Sequence, residues 1–257
     1  MTVRIEDSGS IRTVTIDRPA CRNAVDPPTA LALLDAFTAF EADDTLHVAV
    51  LTGAGGTFCA GFDLREVGRN SGQKDSGGHN PDGRGPMGPT RLALTKPVIA
   101  AVEGHAVAGG LELALWCDLR VASASAVFGV FCRRWGVPLI DGGTVRLPRV
   151  IGQGRALDMI LTGRPVGADE ALAMGLANRV VPPGGALAAA QALARDIAAF
   201  PQLCLRADRA SALGQWHLPL DEALRVEGHG GLVPLETEAA AGARRFVEGA
   251  GRGGRAS

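Results

Sequence analysis

The chain has 257 residues, a formal net charge of −1, and is 46% hydrophobic and 21% charged, the balance of a globular protein with a sizeable core. Near-zero charge leaves no electrostatic footprint for nucleic acid or another polyanion, and no apolar run approaches the ~20 residues of a membrane span. Tyrosine is absent, which excludes any mechanism with a tyrosine acid or a tyrosine oxyanion donor. The five cysteines (Cys21, Cys59, Cys117, Cys132, Cys204) are odd in number and show no CxxC or Cys/His ligand spacing. That predicts reduced thiols, a cytoplasmic setting, and neither a disulfide framework nor a metal site. The first residues, Met1 to Asp7, lack the apolar run of a signal peptide.

Residues 3–6 and 11–17 alternate apolar and polar around Ser8-Gly9-Ser10, which predicts a β-hairpin. Asp26 before Pro27 is a helix start, and Leu31, Leu34, Phe37 and Phe40 predict one apolar face on the helix that follows. Leu46 to Leu51 reads as a buried strand running into Gly53-Ala-Gly-Gly56. The glycine- and proline-rich stretch 68–90 is expected to be a mobile loop or lid. Strands are predicted at 98–102, 119–122 and 127–130. Helices are predicted at 155–161, 168–174, 186–199, 202–213 and 219–226, with Gly163 and Gly175 as stops. Pro182-Pro-Gly-Gly185 reads as the hinge between an α/β core, 1–182, and a helical region, 183–257.

One arrangement recurs. Val48 to Gly53 leads through a short segment to Ala60-Gly61-Phe62-Asp63-Leu64, and Val98 to Gly104 leads to Ala108-Gly109-Gly110-Leu111-Glu112-Leu113. Each is a strand, a glycine, a loop, then Ala-Gly before a helix start, which points to a repeated strand–loop–helix unit. Glu112 is one carboxylate on an otherwise apolar helix. Apolar surroundings raise a carboxyl pKa toward neutrality and suit it to proton transfer. A glycine N–H nearby can meet developing negative charge. The other reading of the stretch is a tight turn with one satisfied polar residue.

Set side by side, Gly53-Ala-Gly-Gly-Thr-Phe-Cys-Ala-Gly-Phe-Asp-Leu64 and Lys96-Pro-Val-Ile-Ala-Ala-Val-Glu-Gly-His-Ala-Val-Ala-Gly-Gly-Leu-Glu-Leu-Ala114 resemble the two signatures of the crotonase (enoyl-CoA hydratase/isomerase) superfamily. Asp17 to Ala24, Phe128-Gly129, Gly142 to Pro148 and Leu161-Thr-Gly163 support the resemblance in order and spacing. It implies an α/β crotonase-like superhelix of ββα repeats with a helical C-terminal region that assembles as a homotrimer or a dimer of trimers. It implies an acyl-CoA thioester substrate and no cofactor beyond coenzyme A as part of that substrate.

Carried over residue by residue, the resemblance makes the N–H groups of Phe62 and Gly109 an oxyanion hole and Glu112 the catalytic carboxylate. The family's second glutamate falls at Cys132, a departure, because a thiol is a poor substitute for a carboxylic acid at neutral pH. Asp141 lies where several members place an active-site aspartate; its other reading is an N-cap for the following helix. Arg22, Ala24, Ala60, Asp63 and Leu64 fall at positions that bind CoA, and Cys132 in the pocket wall. Arg22 has a second reading as a surface arginine. His105 sits on a turn read as buried and takes a structural role.

The expected activity is addition of water to a 2-enoyl-CoA through a stabilised enolate. The alternatives are isomerisation or another enolate reaction (decarboxylation, thioester hydrolysis, C–C cleavage), and an acyl-CoA-binding protein with little catalysis.

Overall fold

A computed structural model describes residues 2–69 and 80–249, which fall into two compact units divided between Asp196 and Ile197. The first begins with the expected hairpin, β1 (Val3–Ser8) and β2 (Ile11–Ile16), paired antiparallel. α1 (Pro27–Ala42) starts where Asp26 accepts a hydrogen bond from the Thr29 N–H, the N-cap read from the sequence. Its buried face is not the predicted one: Leu33, Ala36, Phe37 and Phe40 are buried and Leu31 is exposed. A strict spacing of three drifts around a helix of 3.6 residues per turn, so the earliest residue of that series leaves the core.

β3 (Val48–Gly53) and α2 (Leu64–Arg69) complete the first repeat. β4 (Val98–Val102), β5 (His105–Val107) and α3 (Gly109–Trp116) form the second. β6 (Leu119–Ser123), β7 (Val127–Gly129) and α4 (Gly143–Ile151) form a third. α5 (Gln153–Thr162), β8 (Val166–Gly167), α6 (Ala168–Ala173), β9 (Arg179–Val181) and α7 (Ala186–Ala198) follow. The large sheet runs β1-β2-β3-β4-β6-β9, parallel after the hairpin, and β5-β7-β8 form a second sheet. The second and third repeats thus place one strand in each sheet, the arrangement expected of a ββα superhelix. Val48 to Leu51 and Ile99 to Val102 have no exposed surface, as expected of parallel strands covered on both faces.

α4 stands where the capping alternative for Asp141 put a helix, and it carries Pro148 inside it, where a proline removes a helical hydrogen bond. The boundary expected at 182 falls instead after Asp196. α7 belongs to the core: Ala186, Ala190, Leu193 and Ala194 are buried, the Ala186 N–H donates to Glu103 (2.9 Å), and Gln191 reaches Thr13 on β2 (3.1 Å). The Pro182-to-Gly185 segment is a turn within that unit, with Gly185 N–H on the Pro182 carbonyl.

The second unit holds α8 (Gln202–Gly214), α9 (Leu220–Gly230), the single turn α10 (Leu232–Pro234) and α11 (Ala240–Val247). α8 and α9 answer to the predicted helices; α10 and α11 were not predicted. Among the described residues no helix is long and apolar enough to cross a membrane.

Of the stretch expected to be a mobile loop, residues 70–79 lie outside the described residues, and 68–69 end α2. Its far end is packed: Gly85, Met87, Gly88, Pro89 and Thr90 are buried, and Pro89–Arg91 forms a short 3-10 turn.

Candidate active site

The site grows from two chain segments pressed together at the ends of β3 and β5. The Cys59 N–H donates to the His105 carbonyl (2.9 Å) and the Val107 N–H returns to the Cys59 carbonyl (3.1 Å). A Cβ at Gly110 would collide with that same Cys59 carbonyl, so the approach requires glycine there. Gly61 has φ +100°, and a Cβ on it would lie 3.0 Å from the Gly109 nitrogen. Ala108, between strand and helix, is held at φ 52°, ψ −125°, with its N–H on the Gly129 carbonyl (2.9 Å). Such backbone costs on the order of 1–3 kcal/mol and persists only when its surroundings over-determine it. Here it turns the chain so that α3 begins at Gly109 beside the 59–62 segment.

The geometry leaves two N–H groups uncommitted. Phe62 bridges Val25, but the bridge runs from Val25 N–H to the Gly61 carbonyl (2.8 Å) and from Asp63 N–H to the Val25 carbonyl (2.9 Å). In such a parallel bridge the Phe62 N–H faces away from Val25. Gly109 is the first residue of α3, whose leading N–H groups have no helical acceptor. Among the described residues neither N–H has a hydrogen-bond partner. Both sequence-assigned oxyanion donors are therefore available.

Glu112 follows one turn into α3 and is 3% exposed. Its Oε1 accepts from the N–H groups of Asp141 (2.8 Å) and Gly143 (2.9 Å) at the start of α4. Burial pushes its pKa up to about 7, against those two hydrogen bonds and the attraction of Arg146, which favour the charged form. A carboxyl that titrates near neutrality takes and returns a proton readily.

Asp141 is also buried, and its Oδ1 accepts from the Met87 N–H (3.1 Å) and from the Thr90 hydroxyl. The capping alternative fails: the N-cap of α4 is Gly142 and no side chain caps it. Asp141 instead clips residues 87–90 to the α4 loop. Cys132 lies buried on a 3-10 turn (Phe131–Trp135), and burial, then the Glu112 charge, raise its thiol pKa. The thiol is thus close enough to feel Glu112, and it stays protonated.

The CoA candidates gather around the Val25–Phe62 bridge. The Ala60 N–H donates to the Arg22 carbonyl (3.0 Å), and Arg18 reaches the Ala24 carbonyl and the Asp26 carboxylate (2.8 Å). Arg22 is exposed, with its backbone in the left-handed region (φ 54°). Leu64 is exposed at the start of α2. The Asp63 carboxylate is occupied: paired hydrogen bonds from Arg65 (2.9 and 3.0 Å) hold it below the usual carboxylate range, with Arg18 at 3.5 Å. Its N–H is on Val25, and its carbonyl accepts from the Glu66 N–H (2.9 Å) at the start of α2. His105 is exposed rather than buried.

Three contributors escaped the sequence reading. Asn23 is fully buried, donates to the Ala54 and Thr57 carbonyls (2.8 and 2.6 Å), and accepts from the Arg18 N–H (2.9 Å), fixing the Gly53–Thr57 turn. Met87 packs over Gly109, where a Cβ would meet its Sδ. Arg146 donates to the Asp141 carbonyl (3.0 Å) and the Thr90 carbonyl (2.7 Å). No local pattern marks the first two; for Arg146 the signal is a lone arginine in the first turn of a helix beginning Gly-Gly-Thr.

The family profile described as Enoyl-CoA hydratase/isomerase matches residues 6–248. The chain is 39% identical to enoyl-CoA hydratase EchA19 of Mycobacterium tuberculosis, over 95% of this chain and 92% of that one. It is 36% identical to (E)-benzylidenesuccinyl-CoA hydratase of Thauera aromatica, over 87% of each. Its fold superimposes on the crystal structure of enoyl-CoA hydratase EchA1 from Mycobacterium marinum with a TM-score of 0.88 at 38% identity, covering 96% of both chains. Together with the paired N–H donors and the buried carboxyl, these matches settle the family: the chain belongs to the enoyl-CoA hydratase/isomerase family and has the crotonase fold.

Proposed function

We propose that this protein adds water across the conjugated double bond of a 2-enoyl-CoA thioester. The observation that carries the reading is Glu112, a buried carboxyl with a pKa of about 7, on the helix whose first N–H is an open donor. The thioester oxygen accepts hydrogen bonds from Phe62 N–H and Gly109 N–H. The Glu112 carboxylate takes a proton from water as its oxygen bonds to C3. The C2–C3 π electrons move to the thioester oxygen, giving an enolate held by the two donors; a lost donor of this kind typically costs ~3–4 kcal/mol. The enolate collapses as C2 receives the proton that Glu112 took from water, passed on through Asp141, the second carboxyl of the site, so that both carboxylates are restored.

Cys132 favours a second reading. With a thiol where a second glutamate would stand, Glu112 alone can shuttle one proton between two carbons, which is isomerisation of the double bond. CoA lies along Arg22, Ala24 and Ala60, with Asp63 and Leu64 beside it, and no separate cofactor takes part. The protein works in the cytoplasm, in line with its five free cysteines. It assembles as a homotrimer or hexamer through the second unit, where Leu203, Leu213, Trp216, Leu220, Leu224 and Phe246 are exposed; a monomer leaves such apolar surface unsatisfied.

A panel of acyl-CoA thioesters followed by mass spectrometry tests the reaction. A gain of one water is expected. Unchanged mass with altered absorbance indicates isomerisation, free CoA or lost carbon dioxide another enolate reaction, and binding without turnover a non-catalytic protein. Glu112→Gln is expected to lower turnover about 100-fold or more, the scale of a lost general base, with CoA-ligand affinity kept.

A further inference from the structure

An open groove of about 520 Å³ runs beside the start of α4, lined by Thr90, Arg91, Asp141, Thr144, Arg146 and Arg149 among others. Two of its cations spend N–H groups on backbone carbonyls of the chain around it. Arg91 donates to the Gly83 carbonyl (2.9 Å) and the Ile140 carbonyl (3.1 Å), and Arg146 to those of Asp141 (3.0 Å) and Thr90 (2.7 Å). Arg91 and Arg146 therefore brace the groove.

Arg146 braces the two segments that matter most for the site. One of its hydrogen bonds falls on residue 141, within the Asp141–Gly143 loop whose N–H groups hold Glu112. The other falls on residue 90, within the Met87–Thr90 segment that holds the Asp141 carboxylate. It is half-buried, and among the described residues it has no ion pair. Burial works against its charge, while attraction to Glu112, Cys117 and Asp141 works for it and repulsion from Arg149 against it. Glu112 is thus faced by Arg146 from α4, by Asp141 from the preceding loop and by the Cys132 thiol from its 3-10 turn. Arg146 is the one cation in that set.

We propose that Arg146 is a positioning residue of the active site: its guanidinium fork fixes the loop that hydrogen-bonds Glu112 and sets the one cation of that group facing the carboxyl. The proposal rests on the reading of Glu112 as the base. A planar guanidinium can reach two carbonyls on different segments at once; an ammonium is a point charge on a flexible stem.

The test is the pH profile of kcat for enoyl-CoA turnover in Arg146→Gln, Arg146→Lys and Glu112→Gln, each confirmed folded by circular dichroism and thermal melting. Arg146→Gln removes the charge and keeps an amide donor; its acid limb should move up by about one pH unit, since a cation that favours the carboxylate is gone. Arg146→Lys keeps the charge and loses the fork; its acid limb should stay in place while kcat falls about five-fold or more. A folded Arg146→Gln with the wild-type acid limb overturns the proposal, as does Arg146→Lys with the wild-type kcat. If Arg146→Gln does not fold, Arg146→Lys decides alone. Glu112→Gln separates the two levels: retained turnover there removes the base assignment itself, whereas lost turnover with an unmoved limb in Arg146→Gln removes the role of Arg146.

Discussion

Replacing Asp141 by Asn and by Ala separates two roles held by one carboxyl. Asp141 is 3% exposed and accepts from the Met87 N–H and the Thr90 hydroxyl. Alanine strands both buried donors at about 1–3 kcal/mol each, so Asp141→Ala should lose about 2–6 kcal/mol. Asparagine keeps an oxygen for both donors and gives up only the charge. Hydrogen bonds to charged groups are worth ~1.5–3 kcal/mol against ~0.5–1.5 for neutral ones, so Asp141→Asn should lose about 2 kcal/mol. For a unit of this size each kcal/mol shifts the melting temperature by about 2–4 °C, giving roughly 4–24 °C for alanine and roughly 4–8 °C for asparagine. Turnover should rank the variants differently. Neither side chain carries an acidic proton, so both should lose about 100-fold or more in kcat if Asp141 protonates the enolate. Differential scanning calorimetry and steady-state hydration kinetics on the same preparations give the two rankings. Wild-type kcat in Asp141→Asn would refute proton transfer by Asp141, and a wild-type melting temperature in Asp141→Ala would refute the clip.

The raised pKa of Glu112 also predicts stability. Its folded-state value of about 7 lies above the ordinary 4.5, so the native state holds the proton more tightly and stability falls as pH rises from about 4.5 to about 7. Glu112→Gln should therefore be more stable than wild type at pH 8 by up to about 3 kcal/mol, a gain that vanishes near pH 4.5; urea melts at both pH values check this. Gly61→Ala places a methyl 3.0 Å from the Gly109 nitrogen at φ +100°. Backbone strain of about 1–2 kcal/mol and a displaced oxyanion donor should lower kcat about 100-fold, measured beside the melting temperature. Cys132→Glu restores a second carboxylate near Glu112 and should raise the hydration rate by about ten-fold or more; an unchanged rate would show that the residue at 132 does not limit the reaction.

The sequence was most readable where local chemistry decides local structure. Asp26 before proline, the Ser8-Gly9-Ser10 turn and Gly163 after its helix all acted as read, because caps and turns are settled within a few residues. Glu112 stood out because one carboxylate on an apolar helix is costly unless it is used or satisfied. What stayed hidden depends on distant partners. Asp141 looks like an N-cap until Met87 and Thr90 are seen to use its carboxylate. Asp63 looks like a ligand residue until Arg65 and Arg18 are seen to occupy it. α7 joined the core through Glu103 and Thr13, contacts that no local composition announces.

The crossing of the 59–62 and 107–110 segments has a consequence for how the protein comes into being. The two N–H donors belong to separate repeats, and they meet only once β3 and β4 have paired in parallel and the Cys59 carbonyl has docked against Gly110. Parallel pairing across a long connection is among the slower events of folding, because loop closure must precede its reward. A chain halted after the first repeat carries the Phe62 donor without its Gly109 counterpart. Recovery of turnover during refolding therefore tracks completion of the long-range sheet, while recovery of helical signal runs ahead of it.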